Sequence, residues 1–291
     1  MRTVVFGDTG GHTLTLVESL VSLGMSKEDL VLPEGLQVVH LGDLIHKGPH
    51  SNEAIMIVNA IMERNPGRWH QLLGNHEFNY FQGAPSFWHG ELHEFAWKTL
   101  QKWQHKGLAK PSFFLPAGNK FHIPKSLKDI DREAIESKGI LFSHAGLTKK
   151  FWKYIGEPET AEATSEAINA LSIKEVTRPG IMLETMSQSH NPGPVWALST
   201  GEVFVSWDYT PVDMPFNQVH GHTAPYHWPS RKWYGNTPLS YKQVTKLDVE
   251  HRISYTSIHG KALQIGCDPG YSEKADLEIQ PYLEFNDGII I

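Results

Sequence analysis

The sequence predicts an α/β protein in which strands and helices alternate near the amino terminus. Two apolar runs, 3–8 and 36–43, each end in Gly-Asp, as expected of strands buried on both faces of a sheet. A third short run, 69–77, ends in polar residues. Helical patterns separate the three runs, so the predicted order is strand–helix–strand–helix–strand, with ligand sites at the carboxyl ends of the strands.

Each helix has its own signal. Leu16, Leu20 and Leu23 recur at helical spacing after the first strand, which predicts a helix over 13–23. Ser51 or Asn52 can cap the helix that follows the second strand.

The middle of the chain has a different composition. Two stretches rich in Gly, Pro and aromatic residues, 80–90 and 107–126, are predicted to be loops, with a core-facing helix between them. The strand pattern returns at 139–147, and short strand patterns, including 202–208, dominate from Val195 onward. We therefore expect a single domain over 1–291, with an insertion at about 78–138.

Composition limits the classes of function. The chain has 291 residues and a net charge of -6, which disfavours long nucleic acid as a partner. It has no apolar run long enough to span a bilayer, so no membrane partner is expected. The single cysteine, Cys267, excludes an internal disulfide and suits a reducing compartment, so a cytoplasmic location is expected. The sequence leaves the oligomeric state open.

Five predicted strand ends carry metal-binding or proton-transferring side chains. Carboxylate, amide oxygen and imidazole together suit Mn, Fe or Zn better than Ca or Mg. One such residue alone would usually be a turn or a cap, but five in series are hard to explain that way. The five are Gly7-Asp8, Gly42-Asp43, Gly74-Asn75-His76-Glu77, Ser143-His144-Ala145-Gly146 and His220-Gly221-His222-Thr223.

This series resembles the calcineurin-like metallophosphoesterases. The resemblance is strongest to the branch that contains serine/threonine phosphoprotein phosphatases and diadenosine-tetraphosphatase-type enzymes. The matching blocks run from Asp8 to about Asp268 and include Gly-Pro-Val-Trp-Ala at 193–197 and Gly-Cys-Asp-Pro-Gly-Tyr at 266–271. The resemblance implies a β-sandwich flanked by helices, in four α-β-β-α layers.

The resemblance also implies a phosphatase with two divalent ions, Mn in first place and Fe or Zn as alternatives, and a metal-bound hydroxide. Two such ions can clamp a phosphate, and an adjacent imidazole can protonate the leaving oxygen. The implied roles are Asp43 as the bridge between the ions, Asn75, His144 and His222 as ligands of one ion, Asp8 as a ligand of the other, and His76 as the general acid.

The sequence departs from the family pattern at two places. The family's usual first block is Asp-x-His, but the third position here is Gly10, which cannot bind a metal. In the phosphatase branch an Asp that orients the acid and a phosphate-binding Arg stand where this chain has His46 and Lys47. One interpretation is that His46 replaces the missing ligand, and Lys47 binds phosphate without the two-pronged geometry of Arg.

Several alternatives remain open at this level. His12 or His220 could supply the missing imidazole, or the first metal site could be weak. The favoured function is hydrolysis of phosphomonoesters, including those of phosphoproteins. The alternatives are a nucleotide or nucleic-acid phosphodiesterase and a catalytically weak metal-binding protein of the same fold.

Overall fold

A computed structural model describes residues 1–90, 92–183 and 191–286. The strands are Arg2–Phe6 (β1), Leu36–His40 (β2), Trp69–Leu72 (β3), Ala109–Lys110 (β4), Ser112–Leu115 (β5), Lys120–Phe121 (β6), Ile140–Ser143 (β7), Asn217–His220 (β8), Tyr226–His227 (β9), Lys232–Trp233 (β10), Thr245–Asp248 (β11), Ile253–Ile258 (β12), Ala262–Gly266 (β13) and Tyr282–Asn286 (β14).

The helices are Thr13–Ser22 (α1), Ser51–Arg64 (α2), Asn75–Phe78 (α3), Glu94–His105 (α4), Arg132–Glu136 (α5), Lys149–Tyr154 (α6), Ala161–Asn169 (α7), Ile173–Val176 (α8), Val205–Asp208 (α9) and Leu239–Val244 (α10), and a π-helical segment, Ser199–Phe204, leads directly into α9. None of the helices in the described part of the chain is long and apolar enough to cross a membrane.

The strands form two six-stranded sheets and one short hairpin. The first sheet has the order β4-β3-β2-β1-β14-β6, and its first four strands are parallel. The second has the order β11-β12-β13-β8-β7-β5, with β13, β8 and β7 parallel. The hairpin pairs β9 with β10.

Three apolar clusters hold these layers together. The middle cluster lies between the two sheets and joins Val5 and Val39 of the first sheet to Phe142, Val219 and Ile265 of the second. A second cluster packs α1, α2 and α4 on the outer face of the first sheet. A third packs α6, α7 and α9 on the outer face of the second sheet. The predicted four-layer α-β-β-α architecture is therefore confirmed.

Two predictions about local structure are wrong. The stretch 107–126, predicted as loop, contains β4, β5 and β6, which extend both sheets. These strands are two to four residues long, and Pro111 separates β4 from β5, so no alternating pattern develops. The stretch 202–208, predicted as a strand, is helical because Val203, Phe204 and Trp207 share one helix face and are buried in the third cluster.

Candidate active site

The loops after β1, β2, β3, β7 and β8 meet at one edge of the sandwich. Single oxygen or nitrogen atoms of Asp43, His144 and His222 lie within 4.8 Å of one another. Asp8 joins this group, since its Oδ1 accepts the backbone N–H of His222 at 2.9 Å. The first sheet thus contributes Asp8, Asp43 and Asn75, and the second contributes His144 and His222.

The amide oxygen of Asn75 lies at the centre of this group. It is 2.9 Å from His144 Nε2, 3.1 Å from His222 Nδ1 and 3.3 Å from each carboxylate oxygen of Asp43. The opposite orientation of the amide would place its nitrogen there, but an NH₂ group has only two hydrogens for four neighbouring atoms. A single cation can bind all of these lone pairs at once, so the donor set fits a divalent ion.

Charge in the site supports the same conclusion. Burial alone would raise the pKa of Asp43, but the imidazoles of His144 and His76 hold it well below its ordinary value. Burial alone would lower the pKa of His144, yet Asp43 raises it to about 9. In the absence of metal, His144 therefore carries a proton at neutral pH, and a bound ion would replace that proton.

A buried atom without a hydrogen-bond partner also fits a cation at this site. Asp8 Oδ2 is buried and accepts no hydrogen bond. Unpaired buried polar atoms are rare in folded proteins and need a specific explanation. Burial, followed by the nearby carboxylates of Asp268 and Asp43, raises the pKa of Asp8 well above its ordinary value.

The backbone of the ligand loops is unusual in a way that the sequence does not reveal. Asp43, His46, Lys47 and His222 all have positive φ, between 50° and 71°. Non-glycine residues are uncommon in this region, and they cluster at functional sites. Gly74 is required for a different reason, because a Cβ there would lie 2.1 Å from Asp43 Oδ1.

Glu77 holds two of the ligand loops together. It is fully buried, and its carboxylate accepts the backbone N–H groups of Asp43, Leu44 and Gly74, each at 2.8 Å. The loops after β2 and β3 are therefore fixed relative to each other. Glu77 belongs to the Gly-Asn-His-Glu block, but nothing in the sequence assigns it a role separate from its neighbours.

A chain of hydrogen bonds determines which ring nitrogen of neutral His76 carries its hydrogen. Tyr80 donates its hydroxyl hydrogen to Gly90 O at 2.8 Å, so its oxygen accepts from His46 Nε2 at 2.7 Å. Neutral His46 then has an acceptor at Nδ1, which receives the Nδ1–H of His76. The other nitrogen of His76, Nε2, faces the metal-binding group at 3.8 Å from Asp43 Oδ2. Nε2 carries a proton only when both ring nitrogens of His76 are protonated, and in that form it could deliver a proton into the site.

Two of the three candidates for the missing imidazole use both ring nitrogens in hydrogen bonds elsewhere, and the third, His12, uses one. His46 uses both ring nitrogens, for His76 and Tyr80, which matches the role of orienting the acid and does not support His46 as a metal ligand. His12 Nε2 donates to Ser272 O at 2.8 Å. His220 uses both nitrogens, for Gly221 O at 3.0 Å and for Gln264 Nε2 at 3.1 Å.

Lys47 lies over Gly10. A Cβ built on Gly10 would be 3.6 Å from Lys47 Cδ and 3.7 Å from Lys47 Cβ. Burial alone would lower the pKa of Lys47, but the charges of Asp8, Asp268 and Asp43 raise it. Lys47 also lines a cavity of about 340 Å³ together with His222, Tyr234 and Asp268, beside the metal-binding group. Asp268 follows β13 in the block matched at 266–271, for which the sequence predicted no role.

Aromatic side chains from the predicted insertion cover the other side of His76. Trp88 is 36% exposed and stacks on His46, with ring centres 4.9 Å apart and planes 10° apart. Its ring centre is 5.0 Å from that of His76, and Phe87 contacts the edge of His76 at the same distance. The sequence shows that 80–90 is rich in aromatic residues, but no recognised motif there indicates that they contact His76.

Together, the sandwich fold and the donor set at its edge define a phosphoesterase of the metal-dependent class. The model of the calcineurin-like phosphoesterase family matches residues 1–253. The chain belongs to this family, and it is a hydrolase. A search of curated proteins found no match.

Three of the solved structures that match the chain are described here, all at low identity. A cold-active protein-tyrosine phosphatase of a psychrophilic Shewanella species is 15% identical, with 94% of this chain and 73% of that chain covered and a TM-score of 0.48. A putative diadenosine tetraphosphatase is 15% identical, with 92% and 83% covered and a TM-score of 0.42. A metallophosphoesterase from Sphaerobacter thermophilus is 13% identical, with 77% and 61% covered and a TM-score of 0.33.

Proposed function

We propose that the protein hydrolyses phosphomonoesters with the help of a divalent ion, Mn²⁺ being the first choice. The observation that carries the proposal is the convergence of four ligand side chains on one point, with His76 Nε2 3.8 Å from Asp43 Oδ2. Asp43, Asn75, His144 and His222 hold the ion. A divalent ion bound there would draw charge from the phosphate and lower the pKa of a water molecule.

The remaining roles belong to the chain itself. His76, oriented by His46, donates its Nε2 proton to the leaving oxygen. Lys47 faces the cavity beside the ion and offers a single positive charge to the phosphate. Trp88 forms the wall next to His76, so the leaving group lies against an aromatic surface. The family resemblance implies a second ion at Asp8.

Phosphatase activity should depend on the bound metal ion. Protein reconstituted with Mn²⁺ should hydrolyse p-nitrophenyl phosphate and lose that activity when the ion is chelated. Bis(p-nitrophenyl) phosphate distinguishes the phosphodiesterase alternative, since a monoesterase should cleave it much more slowly. Full activity in protein shown to be free of metal would refute the proposal, and absence of any hydrolysis with Mn²⁺ would favour a metal-binding protein.

Substitution of the ligands tests the assignment. Asp43→Asn should release the ion and abolish activity, because this carboxylate is the only one in the three-residue metal-binding group of the described chain. Asp213→Asn is a matched control, since Asp213 is a surface residue paired with Lys261. Full metal content in Asp43→Asn would show that the site is placed wrongly.

A further inference from the structure

We propose that Gln264 is a positioning residue for the metal ligand His222, and that it acts on the backbone on both sides of that ligand. Gln264 lies on β13 and is fully buried, and it is not part of the five strand ends that carry the candidate ligands. The inference rests on the proposed function only in assuming that an ion binds at the four ligands named above.

His222 has a backbone conformation that its surroundings must maintain. Its φ is +61°, in the left-handed region that residues with a side chain seldom adopt. Its N–H donates to Asp8 Oδ1 at 2.9 Å, and its Nδ1 lies 3.1 Å from the amide oxygen of Asn75. Such conformations persist only where the surrounding contacts determine them, so the neighbours of His222 along the chain must be held in place.

One hydrogen of the Gln264 amide acts through Ser199 on the residue after His222. Gln264 Nε2 donates to Ser199 O at 3.0 Å, and this contact orients the amide because a carbonyl oxygen can only accept. Ser199 begins the π-helical segment, and its N–H donates to Thr223 Oγ1 at 3.1 Å. Its hydroxyl donates to Thr223 O at 3.2 Å. Thr223 is therefore held by two hydrogen bonds from a residue that Gln264 itself binds.

The other hydrogen acts through His220 on the residue before His222. Gln264 Nε2 lies 3.1 Å from His220 Nε2, which accepts this hydrogen, so neutral His220 carries its own hydrogen on Nδ1. His220 Nδ1 donates to Gly221 O at 3.0 Å. The peptide group between Gly221 and His222 is thus held at both ends, its oxygen by His220 and its N–H by Asp8.

The packing of the strands allows His220 to reach the amide. β13 and β8 are parallel neighbours, with Gly266 paired to His220. A Cβ at Gly266 would lie 3.2 Å from His220 Cε1, so the imidazole lies over this glycine.

The two N–H groups explain why a polar side chain is buried at position 264. Among the described residues, Gln264 Oε1 has no hydrogen-bond partner. A buried acceptor without a partner is unfavourable, whereas both hydrogens of the amide nitrogen are used. The polar contacts of this side chain are therefore those that lead to the two sides of His222.

Manganese affinity tests the inference without relying on turnover. Gln264→Met keeps the length of the side chain and removes both donors. Its Kd for Mn²⁺, measured by calorimetry, should rise by about 10- to 100-fold, the usual effect of losing a group that orients a metal ligand. At saturating Mn²⁺, the nitrogen modulation in the electron spin-echo spectrum should decrease, because it arises from coordinated imidazole. In metal-free protein, the N–H of His222 should exchange faster with deuterium.

A second variant and a control make the test specific. Thr223→Val removes the hydroxyl that accepts from Ser199 N, so it should also raise the Kd, and it decides the question if Gln264→Met does not fold. Asn217→Leu is the matched control, because Asn217 is a fully buried amide at the start of β8 that binds α5 and β13 at 2.8 and 2.9 Å. This variant should lower Tm and leave the Kd unchanged.

The possible outcomes separate this inference from the proposed function. An unchanged Kd in folded Gln264→Met or in Thr223→Val, or an equal rise in Asn217→Leu, would overturn the role of Gln264. Wild-type protein that binds Mn²⁺ but hydrolyses no phosphomonoester would contradict the proposed function and leave this inference intact. Wild-type protein that binds no Mn²⁺ would overturn both.

Discussion

Replacing His46 with alanine should slow protonation of the leaving group without releasing the bound ion. In the structure, His46 Nδ1 accepts the Nδ1–H of His76, and His46 is itself held by Tyr80 at 2.7 Å. His76 carries a positive charge when it acts as an acid, and a hydrogen bond to a charged group contributes about 1.5–3 kcal/mol. Since 1.36 kcal/mol corresponds to a factor of ten, kcat for phenyl phosphate should fall by about 10- to 150-fold.

The assay compares two substrates that differ in their need for a proton. Phenyl phosphate has a poor leaving group and should show the full effect, whereas p-nitrophenyl phosphate has a good one and should show a much smaller effect. Manganese content should be the same as in the wild type. His46→Asp, which restores the residue usual in the phosphatase branch, should recover part of the lost rate. Loss of the ion, or equal slowing of both substrates, would refute the assignment of His46 as a residue that positions the acid.

Two further predictions concern metal binding and stability. Gly74→Ala should weaken Mn²⁺ binding, measured by calorimetry, because the added methyl group would lie 2.1 Å from Asp43 Oδ1. Gly235→Ala is the control, since a Cβ there would meet no atom within 4 Å. Equal Mn²⁺ affinity in the two variants would contradict the argument. Asp276→Asn should lower Tm at neutral pH, because a hydrogen bond of 2.6 Å from buried Arg252 holds the pKa of Asp276 below its ordinary value of 3.8. This stabilisation is present above pH 3.8 and is lost as the pH falls through the lowered pKa, so a Tm difference that persists in acid would exclude it.

The strands that carry the site were predictable because each combines an apolar run with a polar end. Asp8, Asp43, Asn75, His144 and His222 could therefore be named from the sequence, and the structure brings them together. Their pattern is local, and the carboxyl ends of neighbouring parallel strands necessarily meet.

What the sequence could not supply depends on contacts between distant segments. Position 46 has both a metal-binding and an acid-orienting interpretation, and only the placement of Tyr80 on the far side of its ring favours the second. Trp88 reaches the acid from a segment without regular periodicity. The helix over 205–208 was missed because its β-branched and aromatic residues favour a strand locally, while burial of one face against the second sheet favours a helix.

The division of the ligands between the two sheets has a consequence for the dynamics of the whole domain. Asp43 and Asn75 follow strands of one sheet, and His144 and His222 follow strands of the other, so an ion bound to all four links the two sheets. Any opening that separates the sheets must release the ion, and at a free concentration 100 times Kd this adds about 2.7 kcal/mol to the cost of opening. Amide hydrogen exchange in β1–β3 and in β7, β8 and β13 should therefore slow together when Mn²⁺ is added, as in a single cooperative unit.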